Sequence, residues 1–177
     1  MTTVVRSPAV APLVGLVDWL VANGVEYELR EHPLTFTALD TAVREGIDPG
    51  RFAKTLVVEA DDERRALMVV DAWDRLDCGK AARVLHADHC RLLDERELGS
   101  FAPDCDLGAV PAVGELFGVR VFADYAIHGT PEITFPAGSH VFTVTVDRAQ
   151  WSIATHVVYG DLADDDDVPP WTSGEAR

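Results

Sequence analysis

The stretch Phe52-Ala53-Lys54-Thr55-Leu56-Val57-Val58-Glu59, followed by Asp61-Asp62-Glu63-Arg64 and Ala66-Leu67-Met68-Val69-Val70-Asp71-Ala72, reads as two buried strands joined by a short charged turn. Apolar runs of this length between turn signals are too short for helices and rich in β-branched residues, so a hairpin at the heart of a sheet is the simplest reading. The first strand also carries an anomaly. The chain has thirteen arginines but only two lysines, Lys54 and Lys80, and one of them stands at the mouth of this run. A lysine ammonium is a compact, strongly hydrated point charge, suited to holding a phosphate or carboxylate in ways the guanidinium fork is not. Taken alone, Lys54 reads as a strand-edge residue with its head in water. Its neighbours point to a site.

Upstream, Leu13, Val14, Leu16, Val17, Leu20 and Val21 recur at helical spacing, and Asn23-Gly24 supplies a stop, which predicts an amphipathic helix over 13–23. Val25 to Arg30 alternates as a strand, His32-Pro33 is extended, and Thr37 caps a short helix ending at Gly46. Downstream, the pattern predicts a helix over 79–87, a short strand Arg91 to Leu93, and a helix Glu95 to Phe101 capped by Asp94. A Gly/Pro-rich loop spans Cys105 to Gly114. Strands follow at Val119 to Phe122, Glu132 to Phe135 and Val141 to Val146, then a helix Arg148 to Ala154 capped by Asp147 and a last strand from Val157 to Asp161. Strands in adjacent pairs with helices between them predict an α+β fold, a single compact domain with a central mixed, mainly antiparallel sheet and flanking helices.

Bulk composition narrows the function classes. A chain of 177 residues, 47% hydrophobic, can bury a continuous core in one domain. Its apolar stretches, such as Leu13 to Ala22, are interrupted or far shorter than the ~20 residues a membrane helix needs, and the N-terminus lacks a secretory pattern, so a soluble, cytoplasmic protein is expected. Three cysteines, Cys78, Cys90 and Cys105, without a Cys-x-x-Cys pair make a disulfide framework or zinc ribbon a poor reading. His86-x-x-His89-Cys90 is a weak zinc signal with no distant partner, and neither metal nor cofactor is expected. Net charge is −15, and without residues 161–177 the body still carries 24 acids against 14 bases. Affinity for a phosphate backbone comes largely from Lys and Arg, so the charge counts against broad nucleic-acid binding, though not against a pocket gripping one nucleotide end. Residues 1–12 read as an N-terminal extension, 13–162 as the domain, and 163–177, with Asp164 to Asp167, as an acidic, disordered tail.

Four elements carry the candidate chemistry: His32-Pro33 before the Thr37-capped helix; Lys54; the loop Gly108-Ala109-Val110-Pro111; and Ala137-Gly138-Ser139-His140 leading into a strand. In this order and spacing, with Leu76-Asp77 ahead of Lys80 and with Val121-Phe122-Ala123-Asp124, the chain resembles the YbaK/prolyl-tRNA synthetase-associated editing domain, a family of aminoacyl-tRNA deacylases. The resemblance implies a pocket that hydrolyses the ester between a wrong amino acid and the terminal adenosine of transfer RNA, without metal or a protein nucleophile. It maps the pocket lysine onto Lys54 and the glycine-proline loop onto Gly108 to Pro111. It also admits a protein partner such as a synthetase, and it leaves the oligomeric state open.

The chemistry can be stated independently of the family. Ester hydrolysis builds negative charge on the carbonyl oxygen, which preset backbone N–H groups stabilise; Gly108 and the amides near it are the candidate cradle, with Ala109, Val110 and Pro111 as candidate substrate-binding residues. The same loop also reads as a plain tight turn. Lys54 would neutralise the terminal phosphate or polarise the ester, and a ribose hydroxyl of the substrate could activate water. His32, Gly138, Ser139 and His140 are candidate pocket members, and Phe36 could stack on the adenine, although aromatics beside apolar residues more often belong to a core. A catalytically silent module holding an amino acid, a nucleotide or a protein partner is the alternative, and Schiff-base chemistry at Lys54 is a third reading.

Overall fold

The computed structural model describes residues 11–166, over which the chain forms six α-helices and eight strands. The hairpin forms as its sequence dictates: β2 (Ala53–Ala60) pairs antiparallel with β3 (Arg65–Asp71), from Ala53 opposite Asp71 to Glu59 opposite Arg65. Strands β4 (Cys90–Leu92), β5 (Arg120–Asp124) and β8 (Val158–Gly160) complete a five-stranded sheet in the order β4-β2-β3-β5-β8. Its β3-β5 and β5-β8 pairs are parallel and its other pairs antiparallel. A second sheet, β1-β7-β6, is wholly antiparallel and is built from β1 (Tyr27–Glu31), β7 (Phe142–Asp147) and β6 (Glu132–Ser139). The expected α+β architecture with mixed pairing is therefore present, its strands divided between two sheets that an isolated Phe52–Thr134 bridge joins.

The two faces of the β2-β3 hairpin feed two cores, as the two-residue period of a strand requires. Ala53, Val57, Leu67 and Val69 face a large cluster with Leu16, Leu20, Ile133, Phe135, Val144 and Trp151. Val58, Met68 and Val70 face the opposite cluster with Ala81, Leu85, Phe122 and Leu162. Burial on both sides explains why β3 reads as an unbroken apolar run rather than an alternating one. Trp151 is fully buried, and its indole N–H donates to the Ala112 carbonyl at 2.7 Å. Removing a buried ring of this kind costs about 3–5 kcal/mol.

Caps set most helix boundaries. Asp77, Asp94, Asp124 and Asp147 accept from backbone amides at the starts of α3 (Cys78–Leu85), α4 (Glu95–Phe101), α5 (Tyr125–His128) and α6 (Arg148–Thr155). Asp94 and Glu97 form a complete capping box. Helix α1 (Leu16–Ala22) starts later than the periodicity of 13–23 suggests, because Gly15 takes the left-handed conformation and Val14 turns to solvent at 90% exposure. Helix α2 (Ala38–Glu45) begins at Thr37 and ends at Gly46, as expected.

Both ends of the described chain are bonded to the body of the fold. The Leu13 N–H donates to the Ala137 carbonyl, and residues 1–10 of the expected extension lie outside the described residues. At the other end, Ala163 bridges Leu76, and Asp164 donates its N–H to Arg75. The first residues of the expected acidic tail are therefore held against the domain, and 167–177 lie outside the described residues.

Candidate active site

The second sheet and the open side of β2 leave a cavity between them. Strand β4 covers β2 only at Val58 to Ala60, with one further bond from the Leu93 N–H to the Val57 carbonyl. Strand β4 therefore does not reach residues 53–56 of β2, beside which the second sheet bridges Phe52. By the alternation of a strand, Thr55 directs its backbone groups to the same side as Val57, away from β3. Along this stretch lies a cavity of about 370 Å³, walled by Lys54 to Val57 of β2, His32 and Phe36 to Leu39 at α2, Leu92, Leu93 and Leu98 at β4 and α4, Gly108, and Pro136, Ser139, His140 and Thr143 of the second sheet.

The segment before α2 is fixed by the second sheet. The His32 N–H donates to Val141 O at 2.8 Å and the Thr35 N–H to His140 O at 3.3 Å, while Thr35 and Thr41 share a hydroxyl bond of 2.6 Å. His32 is buried, and its Nδ1 lies 2.8 Å from the Pro33 carbonyl. A carbonyl can only accept, so Nδ1 carries the hydrogen and Nε2 of the neutral ring presents a lone pair. That Nε2, like the buried hydroxyl of Thr55, has no hydrogen-bond partner among the described residues. Two unsatisfied buried polar atoms on one cavity wall are uncommon in a folded protein, and a ligand that supplies their partners is a direct physical remedy.

Lys54 is half-buried on β2. Near it, burial pushes the Asp71 carboxyl above its ordinary value, opposed by hydrogen bonds from the Asp74 and Trp73 amides and by the Lys54 charge.

Gly108 is held from the far side. It has φ +83, a conformation that favours glycine, and a Cβ there would meet nothing within 4 Å. Asp106 ties its loop to the 137–140 segment: its N–H donates to Gly138 O, its Oδ2 accepts from the His140 N–H at 2.9 Å, and its carbonyl takes the Ala109 N–H. The Gly138 N–H in turn donates to Ala109 O.

Of the residues singled out in the sequence, the fold brings Lys54, Gly108, His32, Phe36, Ser139 and His140 to this one cavity. Ala109, Val110 and Pro111 are buried behind it, and the Ala109 amide is spent inside the turn, so these three hold Gly108 in place instead of lining the space. Gly138 also lies behind the wall. Its φ is +85, and a Cβ there would fall 2.6 Å from the Leu13 Cβ, so glycine is required by packing. Phe36 is 70% exposed at the mouth, 5.4 Å from the His140 ring, which removes it from the core. Thr55 and Asp106 did not stand out in the sequence. Thr55 adjoins Lys54, and Asp106 precedes Gly108 by two, which is the turn-forming position that could have marked it.

Other candidate chemistry falls elsewhere. Among the described residues no group of three or more His, Cys, Asp or Glu side chains could hold a metal ion. Burial pushes the Cys90 thiol up to about 11 and the Cys105 thiol up to about 12, so both stay protonated at neutral pH. No helix of the described residues is long and apolar enough to cross a membrane.

The aminoacyl-tRNA editing domain profile matches residues 32–152, which include every wall of this cavity. No curated protein matches the chain. Among solved structures, the hypothetical protein APE2540 superposes with a TM-score of 0.77 at 19% identity, covering 84% of this chain and 99% of that one. A candidate trans-editing enzyme for prolyl tRNA synthetase superposes with a TM-score of 0.72 at 24% identity, covering 83% of this chain and 93% of the other. The same fold, with a TM-score of 0.65 at 17% identity, occupies 30% of a candidate signal transduction protein from Marinobacter aquaeolei and covers 84% of this chain.

Proposed function

The chain belongs to the aminoacyl-tRNA editing domain family, and from that premise we propose that it is a freestanding deacylase, hydrolysing the ester of a mischarged transfer RNA. The observation that carries this reading is the convergence of Lys54 and Gly108, from distant parts of the sequence, on one cavity of about 370 Å³. That volume lies at the small end for ligand pockets. It admits an amino-acid side chain and its ester, and leaves the rest of the nucleic acid outside, as an acidic surface demands.

In this account the Lys54 ammonium takes the terminal phosphate or the ester carbonyl oxygen. The Gly108 N–H, which donates to no group among the described residues, faces the developing oxyanion; removing one such donor typically costs about 2.7–4 kcal/mol. Water adds to the carbonyl carbon, the bond to the ribose oxygen breaks, and that oxygen takes the proton as the free amino acid leaves. A neighbouring ribose hydroxyl or the lone pair on His32 Nε2 receives the water proton. Phe36 at the mouth stacks on the terminal adenine, with Ser139 and His140 beside it. A cytoplasmic setting and association with a synthetase fit a trans-editing role.

The test is hydrolysis of a panel of mischarged transfer RNAs by the purified chain, with at least one expected to be deacylated well above its spontaneous rate. The net charge of −15 favours a second reading, a catalytically silent module that binds an amino acid, a nucleotide or a protein partner. Saturable binding of an aminoacyl-adenosine analogue with no turnover anywhere on the panel would select that reading and reject the first.

A further inference from the structure

Among the described residues, strand β1 stands at the end of the three-stranded sheet and pairs with β7 alone. All five of its residues, Tyr27-Glu28-Leu29-Arg30-Glu31, are exposed. The bonds flanking the strand set its parity: the Asp147 N–H donates to Glu26 O, and the His32 N–H donates to Val141 O. Even-numbered residues therefore exchange bonds with β7, and Tyr27, Leu29 and Glu31 turn their N–H and C=O groups outward. Open edges of this kind template pairing with another strand, and charges on them normally repel that outcome. Here Glu28 and Arg30 carry opposite charges at equal distances on either side of Leu29.

We propose that this edge is a self-association surface, on which β1 of a second copy pairs antiparallel about a two-fold axis at Leu29. In that register the outward groups match without remainder. Leu29 exchanges both its bonds with Leu29 of the other copy, and Tyr27 exchanges both with Glu31 at each end, six backbone hydrogen bonds in all by the antiparallel pattern. Glu28 then stands opposite Arg30 of the second copy at the non-hydrogen-bonded positions, where facing side chains are closest. The same two residues already attract one another along the strand, with Arg30 Nε 2.9 Å from Glu28 Oε1, so the pairs join into a four-charge cluster of alternating sign. On the other face Tyr27 and Leu29 are 39% and 37% exposed beside the buried Val146 and Val144, and a neighbouring strand covers that rim. A second copy matches the Glu28 and Arg30 pair by symmetry alone, which a heterologous strand does not. Two copies of charge −15 repel at long range, so the dimer is weak and reversible.

Sedimentation velocity of the full chain over a concentration series tests this. The wild type is expected to show a reversible monomer–dimer equilibrium. Leu29→Pro removes an outward N–H without touching the β7 ladder, a position where edge strands tolerate proline, and is expected to weaken the dimer by at least ~10-fold. Should that variant fold poorly by circular dichroism, two charge variants decide alone. Glu28→Arg and Arg30→Glu each place like charges face to face and are expected to be monomeric, whereas an equimolar mixture restores complementarity and regains the dimer. A wild type that stays monomeric into the high-micromolar range overturns the proposal. So does a dimer indifferent to Leu29→Pro or to the single charge changes, or a mixture that fails to re-associate.

Discussion

The two lysines of this chain occupy opposite surroundings. Lys80 lies on α3 with its side chain 6% exposed, and its ammonium donates to Asp161 at 2.8 Å, to the Ala163 carbonyl at 2.7 Å and to Asp165 at 2.7 Å. All three partners come from the C-terminal segment, which Leu162 and Ala163 also anchor through bonds from their N–H groups to Asp124. Lys54 is half-buried on β2 and lines a cavity whose walls carry unsatisfied polar atoms. One ammonium clamps the C-terminal segment, and the other borders the cavity. The residue type and its rarity were the same signal at both positions. Only the tertiary surroundings separate the roles.

The largest expected effect lies at the cavity. Lys54→Ala should lower kcat/KM for deacylation at least ~10²-fold, about 2.7 kcal/mol of transition-state stabilisation, and Lys54→Arg should recover part of it, because charge without compact geometry is half the requirement. Comparable rates in Lys54→Ala and wild type would erase the contrast with Lys80. Gly108→Ala comes next. No neighbour blocks the added methyl, so its cost is the left-handed backbone, roughly 1–2 kcal/mol; relaxing that strain turns the amide away. Steady-state kinetics should show kcat down by about tenfold, with Tm lowered by only a few degrees.

Lys80→Ala should reverse the pattern, lowering Tm and exposing residues 161–165 to proteolysis while the folded protein keeps any deacylation rate within a few-fold. Hydrogen bonds to Asp161 and Asp165 raise the Lys80 ammonium above its ordinary value. A raised value means that the clamp contributes fully at neutral pH and is lost as pH climbs past the ordinary lysine range. Wild type and Lys80→Ala melting curves should therefore converge only in strongly alkaline solution. The smallest effect is at the cavity's outer rim, where Arg91 bridges Glu97 and Glu59 beside the lining residues Leu92 and Leu98. Hydrogen bonds from Arg91 and from the Asp94 amide hold the Glu97 carboxyl down to about 2. A depressed value stabilises above the ordinary carboxylate range and is lost as pH falls toward that value. Glu97→Gln should lower Tm slightly at neutral pH, and the difference should shrink in acid and in high salt, because the pair is solvent-exposed.

Local chemistry was legible where it is self-contained. The β2-β3 hairpin, the Thr37, Asp94 and Asp147 caps and the Gly46 stop depend on residues within a few positions of one another, and each occurs as its sequence indicates. The division into two sheets was not legible, because the β3-β5 and β5-β8 pairings join residues 54 and 36 positions apart. Helix α5, four residues long, carries too little periodicity to read, although Asp124 caps it. At the site, ordered motifs pointed to Lys54 and Gly108. The orphaned Thr55 hydroxyl, the tautomer of His32 and the Asp106 brace are properties of packed neighbours and have no sequence signature of their own.

The central claim is that the cavity ammonium serves turnover and the clamped one serves the fold. It is tested most directly by measuring single-turnover deacylation and thermal melting together on wild type, Lys54→Ala and Lys80→Ala. The account predicts a double dissociation: Lys54→Ala loses rate by ~10² and keeps its Tm, while Lys80→Ala loses Tm and keeps its rate. Near-normal hydrolysis by a folded Lys54→Ala, or a greater loss of rate in Lys80→Ala, would contradict it.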